Sequence, residues 1–553
     1  MNELANRLGL RVDPTIFFVS AGFSLFFVLL LVFAPGSIGA AFAAGRAWIV
    51  TNLGWFFILG VNVWLGFLLY AAMSRHGHIR LGPRNSRPDY SNLSWFTMLF
   101  AGGIGTVLMF WGVAEPISHY QSPPLRGVEP FTLEAAQDAI SISLYHLALH
   151  TWTIFALPGL AFAYFINRYD LPVRVSSVFY PLLREGIHGP VGKVIDIASI
   201  LGTLFGVAVS LGLGSSQVAA GLSALFGWSN DTPLRLAILG SLTVVATLSI
   251  VAGLDKGVKV LSNINIGMAV GLMIFVLFTG STLFLMRGIV ETMGLYLSNL
   301  PRLAFWNDML HGEGMGRGDW GWQGNWTVFY WTWTVTWSPF IGLFVARISR
   351  GRTIREFVFG VLLAPSLFTV IWFAIFGWQA MAMDGLGQAA REAMGPAAGT
   401  ISRAVSESVP LAMFAFFAEL PWAPVMQGLA VLVVAIFFAT SSDSASLVVD
   451  MLCSGSAKAG PVHQRVFWGL AEGMIAATLI LLAGEAGLTA LQEVITVVGL
   501  PIFVLVCLMI PALLRGFAAE DIDHITIGKR PALSEFDPGT NGGSGPNYGS
   551  SKG

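Results

Sequence analysis

A lipid bilayer presents about 30 Å of hydrocarbon with nothing in it to hydrogen-bond a peptide group, so a chain that crosses it as helix needs roughly 20 consecutive apolar residues per pass. This sequence supplies such runs about twelve times over, and together they occupy nearly all of its 553 residues. By hydropathy the spans centre near 14–34, 49–73, 93–114, 136–166, 190–224, 235–252, 262–286, 325–347, 356–383, 424–452, 465–484 and 492–514. Charged side chains make up only 11% of the chain and the mean hydropathy is +0.71, which leaves no room for a soluble fold. The chain reads as an all-α membrane protein. A further apolar run from Ser408 to Leu420 is too short to cross and stops at Pro421, so an interfacial or re-entrant helix is expected there.

The basic residues fix the sidedness. With the amino terminus in the cytoplasm, Arg75, Arg80, Arg84, Arg87, Arg168, Arg174, Lys193, Arg347, Arg350, Arg352 and Arg355 all fall in inward loops, as insertion favours. Both termini are then cytoplasmic and the expected location is the cell (inner) membrane. A net charge of −1, sorted by side rather than gathered into a patch, implies no nucleic-acid partner. Ala41-Phe42-Ala43 has the look of a signal-peptidase site, but the run before it is too long and its removal would invert the charge sorting. Cys453 and Cys507 imply no disulfide framework.

Three segments carry chemistry. In the third span Gly102-Gly103-Ile104-Gly105-Thr106 runs into Trp111-Gly112-Val113-Ala114-Glu115-Pro116, residues that a lipid-facing helix does not need. They fit a backbone that opens to meet a solute, whose freed carbonyls also suit a monovalent cation; a small-residue packing seam is the plainer reading of the same glycines. Glu115, at the end of the span, also suits an interfacial position. In the eighth span Trp326, Tyr330, Trp333 and Trp337 share one stripe, and Thr327, Trp331, Thr334 and Ser338 another. An interfacial belt does not explain tryptophans running through three turns, whereas aromatic faces attract an alkylated ammonium by about 0.5 to 2 kcal/mol each; helix packing is the alternative.

In the tenth span Thr440-Ser441-Ser442-Asp443-Ser444 forms a polar cluster in an apolar helix, with oxygens suited to a hard cation or to bonding back onto their own helix. Asp450 shares a face with Asp443 and is expected to meet an inward arginine. His146 and His150 are one helical turn apart, but a pair lacks the third and fourth ligands of a zinc site, so no metal role is assigned to them.

The stretches Gly77 to Gly82, Ser94-Trp95-Phe96, Met109 to Pro116, Trp326 to Phe340, Arg347 to Phe357 and Thr440 to Asp450 resemble the betaine/choline/carnitine transporter (BCCT) family. The likeness runs from about residue 10 to 515. It implies a LeuT-like 5+5 inverted repeat, residues 93–286 and 325–515, preceded by two peripheral helices within 14–92. It further implies a cytoplasmic tail over 1–13, an external loop with an amphipathic helix over 287–324, a disordered cytoplasmic tail over 516–553, and a homotrimer.

Function follows from the same resemblance: a secondary active importer, a symporter for a small zwitterionic or quaternary ammonium solute, without an organic cofactor. Matching positions place Gly103, Ile104, Gly105, Trp152, Phe155, Trp333, Thr334 and Trp337 at the solute. Gly102, Gly103, Ile104, Thr440 and Ser441 match a sodium site, and Thr203 with Phe340 part of a second one, where Val207 replaces a threonine and removes an oxygen. Leu147, Phe155 and Thr334 replace a tryptophan, a tyrosine and a tryptophan of the family's ammonium cage, which weakens the hold on a fully methylated amine and suits one that donates hydrogen bonds. Sodium-independent relatives carry an arginine on the seventh span; here no basic residue lies between Leu261 and Met286, so sodium coupling is expected. The alternatives are a proton-coupled or exchange carrier of a less methylated zwitterion such as an amino acid or taurine, and a membrane-embedded enzyme using His146, His150, Glu115 or Asp443.

Osmotically activated relatives carry a long basic extension, whereas Glu520, Asp521, Asp523, Glu535 and Asp537 make this tail slightly acidic. Raising external osmolality is therefore expected to change the initial uptake rate of reconstituted protein less than about twofold, since no basic tail is there to be drawn to anionic lipid.

Overall fold

The computed structural model describes residues 1–101, 105–252, 255–309, 321–483 and 488–520. Among these, regular structure is helical apart from one isolated bridge between Arg80 and Thr353. Gly102, Gly103 and Ile104 lie outside the described residues, as does the chain after residue 520, for which the sequence predicts a disordered tail.

Helix α1, Pro14–Phe33, starts where sequence chemistry places it: the Asp13 carboxylate accepts the amides of Thr15 and Ile16, and Pro14 takes the first position, where no donor is needed. Helix α2, Pro35–Met73, begins at a proline well before the span centred on 49–73. Its 39 residues extend about 58 Å at 1.5 Å each, more than a bilayer core, because the weakly apolar stretch after Pro35 continues the helix beyond it.

The third span comprises α3, Asn92–Ala101, and α4, Gly105–Gln121. The fourth is also two helices, α5, Leu133–Leu147, and α6, Leu149–Phe162, separated by Ala148 at φ −103°, ψ −113°. Helices α7, Pro190–Phe226, α8, Thr232–Ala252, and α9, Asp255–Thr279, follow.

The expected span over 262–286 is corrected here. It ends at Thr279, and α10 runs separately from Thr282 to Ala304. At the turn Gln379 accepts the Ser281 amide at 3.0 Å and sits where a Cβ on Gly280 would be 2.5 Å from its Oε1, so only glycine fits. Helix α10 is amphipathic, burying Leu285, Gly288, Thr292 and Tyr296 and exposing Leu283, Met286, Val290 and Leu297. The remaining long helices are α11, Phe329–Ile348; α12, Ile354–Gly385; α13, Ala423–Ser454; α14, Val462–Ala483; and α15, Leu488–Ala519. The short run over 408–420 forms a short apolar helix, Val409–Ala418, whose first turn, Val409–Leu411, is 3₁₀ and whose remainder, Ala412–Ala418, is α-helical and mostly buried.

Ten helical stretches among the described residues have the length and hydropathy to cross a membrane. Helices α3 and α4 together, and α11, bring the crossings to the expected twelve; α11 is less apolar because it is built from tryptophan and threonine. In the bundle α6 lies along α11, α4 against α12, α7 along α13, α8 along α14, and α15 against both α2 and α11. Glycine pairs let these helices close up: a Cβ on Gly342 of α11 would lie 3.0 Å from the Gly159 amide nitrogen of α6.

The arginine-rich end of the bundle is held by specific contacts. Arg168 donates to Glu520 Oε2 at 2.7 Å and to the Arg80 carbonyl at 2.9 Å, tying the end of the fourth span to the end of α15. Arg352 lies over the Trp95 ring at 3.9 Å and donates to Asn92 and to the Tyr90 carbonyl, while the Trp95 indole donates to Ser349 at 2.9 Å. Gly360 leaves room for that ring, since a Cβ there would be 2.1 Å from Trp95 Cη2. Gly360→Ala is expected to cost about 1 to 3 kcal/mol by overpacking, read as a drop of several degrees in the thermal midpoint of detergent-solubilised protein.

Candidate functional site

Helix α11 is buried along almost its whole length, which a lipid-interface belt would not be. Its residues at i, i+3, i+4 and i+7, Tyr330, Trp333, Thr334 and Trp337, form one wall of a narrow, nearly closed cleft. Trp333 meets Trp337 edge-on at 5.5 Å and stacks on Phe329 at 5.5 Å, so the rings brace one another. The opposite wall comes from the fourth span: Leu147, the last residue of α5, and Thr151 and Phe155, one turn apart on α6. Thr151 Oγ1 donates across the break to the His146 carbonyl, a backbone acceptor close to the interruption at Ala148. Val107 of α4 closes one side. No lining residue is charged.

Phe155, Trp333, Thr334 and Trp337 of the sequence-derived set thus face one space. Trp152 does not line it. Set about 100° from Thr151 around the helix, it is fully buried behind Phe155, edge-on at 5.7 Å. Gly105 opens α4 against α13, where a Cβ would be 2.0 Å from Phe437 Cζ. That contact brings the start of α4 within one turn of Thr440 and Ser441. Gly103 and Ile104 at the solute, and Gly102 at the ion, are expectations outside the described residues.

Thr440 Oγ1 donates to its own helix, to the Ile436 carbonyl at 2.9 Å or that of Phe437 at 3.2 Å. A hydroxyl whose proton is taken up this way keeps its lone pairs for an outside cation. Thr203 donates to the Ser199 carbonyl at 2.9 Å and sits on α7, which abuts α11 so closely that a Cβ on Gly206 would be 2.3 Å from Thr336 Oγ1. Phe340 lies one turn further along α11, and Val207 is buried one turn after Thr203 on α7.

Glu115 is the residue that sequence reasoning undervalued. It is fully buried: Tyr330 donates to its Oε2 at 2.6 Å, and its Oε1 lies 2.6 Å from His146 Nδ1 and 3.4 Å from His119 Nε2. His146 Nε2 is in turn 3.0 Å from Thr327 Oγ1. One carboxylate therefore ties α4 to α5, α11 and the turn before α11, and Tyr330 belongs both to this network and to the cleft wall. The signal in the sequence was a glutamate in an apolar helix with histidine at i+4, opposite the Thr327 and Tyr330 stripes.

The His146 and His150 pairing is corrected, because the helix breaks between them; His150 Nε2 turns instead to Asn62 Oδ1 at 3.0 Å. Glu115, His119 and His146 do bring three ligand atoms within 4.8 Å of one another. The 2.6 Å Glu115 to His146 contact is a hydrogen-bond distance, shorter than the roughly 3.3 Å that two ligands keep on a tetrahedral ion with 2.0 to 2.1 Å bonds. Asp450 also departs from expectation. It takes the Gly460 amide at 2.6 Å and the Gln464 side chain directly, since the turn after α13 folds back over it, and the inward Arg465 acts on it through space without a direct hydrogen bond.

With this geometry in place, the comparisons with known proteins are decisive about class. The family described as "BCCT, betaine/carnitine/choline family transporter" matches residues 15–522. An ectoine/glycine betaine/proline transporter of Corynebacterium glutamicum is 43% identical over 518 residues, covering 94% of this chain and 82% of its own. A glycine betaine transporter of Acinetobacter baylyi is 40% identical over 502 residues, covering 90% and 72%, and a high-affinity choline transport protein of Escherichia coli is 36% identical over 519 residues, covering 92% and 73%. The chain belongs to the BCCT family of membrane transporters. The enzyme reading is thereby set aside.

Tyr330→Phe keeps the ring in the cleft but leaves a buried carboxylate oxygen without its donor, at a cost of about 1 to 3 kcal/mol. Transport by the reconstituted variant is expected to fall about tenfold, as initial rates would show.

Proposed function

We propose that this protein imports a small zwitterionic solute across the cell membrane, drawn by the sodium gradient. The observation that carries the solute class is the uncharged cleft in which Trp333 and Trp337 offer ring faces and Thr334 a hydroxyl. Indole faces attract an alkylated cation without a formal counter-charge, and the uncharged walls suit a molecule that carries both signs itself. Leu147, Thr334 and Phe155 provide fewer rings than a full aromatic cage and move its hydroxyl from the fourth span to Thr334 on α11. The solutes are therefore zwitterions whose cationic nitrogen can donate a hydrogen bond, alongside glycine betaine, which cannot and is held by the ring faces alone, in keeping with the ectoine, glycine betaine and proline named for the Corynebacterium glutamicum relative.

Sodium coupling is supported by the Gly105 to Phe437 contact, which sets the start of α4 one turn from Thr440 and Ser441 along α13, and by the missing basic residue on α9 from Leu261 onward. Gly102, Gly103 and Ile104 would complete that site through backbone oxygens, while Val207 argues against a second ion at Thr203 and Phe340. The paired contacts of α6 with α11 and α4 with α12, and of α7 with α13 and α8 with α14, support two inverted repeats of five spans. The arginine-rich ends support cytoplasmic termini. The exposed apolar row of Leu283, Met286, Val290 and Leu297 on α10 is the surface we assign to a homotrimer.

In proteoliposomes, an inward sodium gradient is expected to raise uptake of radiolabelled glycine betaine or ectoine at least tenfold over a potassium gradient, with proline competing. Uptake equal in potassium, and driven instead by a proton gradient or by internal solute, would establish the proton-coupled or exchange reading.

A further inference from the structure

Glu472 sits in the middle of α14, fully buried in a membrane-spanning helix. Its Oε2 accepts from Ser442 Oγ at 3.0 Å and its Oε1 from Ser446 Oγ at 3.3 Å, both on α13. Among the described residues no lysine, arginine or histidine pairs with it. Glycines flank it on the same helix and allow this tight seam: a Cβ on Gly469 would be 3.2 Å from Ser446 Oγ, and one on Gly473 would be 2.7 Å from Thr243 on α8. A carboxylate held in the hydrocarbon region by two neutral hydroxyls is costly, and residues of this kind mark function. Nothing in the transport reading so far uses it.

The helical register of α13 shows what it reaches. At 100° per residue, Thr440 and Ser441 lie within about 60° of Phe437, the side chain that meets Gly105 of α4. Ser442 and Ser446 lie about 140° to 180° away, on the opposite face, toward α14. Two hydroxyls one turn apart, gripped by one carboxylate, fix the rotation of α13 about its own axis. That rotation decides whether the Thr440 and Ser441 oxygens point at the start of α4.

We propose that Glu472 is a positioning residue for the coupling ion: by holding Ser442 and Ser446 it sets α13 so that Thr440 and Ser441 face α4. The proposal rests on the sodium reading above.

The test is the external sodium concentration giving half-maximal uptake in proteoliposomes, measured with the better transported of radiolabelled glycine betaine and ectoine. Glu472→Gln, which replaces one of the two accepting oxygens with an amide NH2 that cannot accept, is expected to raise it about tenfold, in the range typical of lost second-sphere partners, while the maximal rate at saturating sodium changes less than about twofold. Glu472→Asp is expected to restore much of the affinity. The double variant Ser442→Ala with Ser446→Ala, which leaves the carboxylate in place, is expected to shift sodium dependence in the same direction and covers the case in which Glu472→Gln does not fold. A fall in maximal rate with unchanged half-saturation, in whichever variants fold, would show a merely structural role and overturn the proposal. Wild-type uptake indifferent to sodium would instead overturn the sodium reading itself, and the Glu472 role with it.

Discussion

Glu115 is the point on which the interior of this protein turns. A carboxylate sealed from water and lipid must find its hydrogen bonds within the protein, and here the donors come from three directions, with Tyr330 and His146 each at 2.6 Å and His119 at 3.4 Å. Meeting that demand fixes α4, α5 and α11 relative to one another. The aromatic cleft is built on the same helices and shares Tyr330 as a wall residue, so its shape follows from how Glu115 is satisfied. The carboxylate stays out of the cleft, whose lining carries no charge.

Close helix approach supplies the rest. Without water to drive apolar surfaces together, membrane helices associate through shape, and small residues set how near two backbones come. Gly112 makes room for the Trp372 indole, Gly159 and Gly342 face each other across α6 and α11, and Gly206 admits Thr336 and Trp337. These contacts carry large rings inward and bury tryptophans such as Trp111, Trp331 and Trp372 completely. The glycine content of the sequence is thus largely a packing feature, while Gly105 has the added consequence of setting α4 against α13.

Much of this was legible in the residues alone. The twelve apolar runs, the basic ends and the aromatic stripe on α11 follow from hydropathy and helical period, and Trp333, Thr334 and Trp337 do share one cleft. The departures have specific causes. His146 and His150 separate because the helix is interrupted at Ala148, which no local signal announces. The run through 286 is cut at Gly280 because Gln379, about a hundred residues away, claims the Ser281 amide. Trp152 is absent from the cleft lining because it is buried beside Phe155, edge-on to that ring.

The sequence by itself determined that this chain lies in a membrane as a helical bundle, which spans it forms and which of its family's motifs it carries, because hydropathy and helical period act over one span at a time. Only the tertiary structure decided that Glu115 and Glu472 are interior groups, that the fourth span is broken at the cleft, and that Phe437 meets Gly105 of α4 while Ser442 and Ser446 meet Glu472 of α14. The reason is physical: burying a charge depends on donors brought from distant parts of the chain, and no window of sequence contains them.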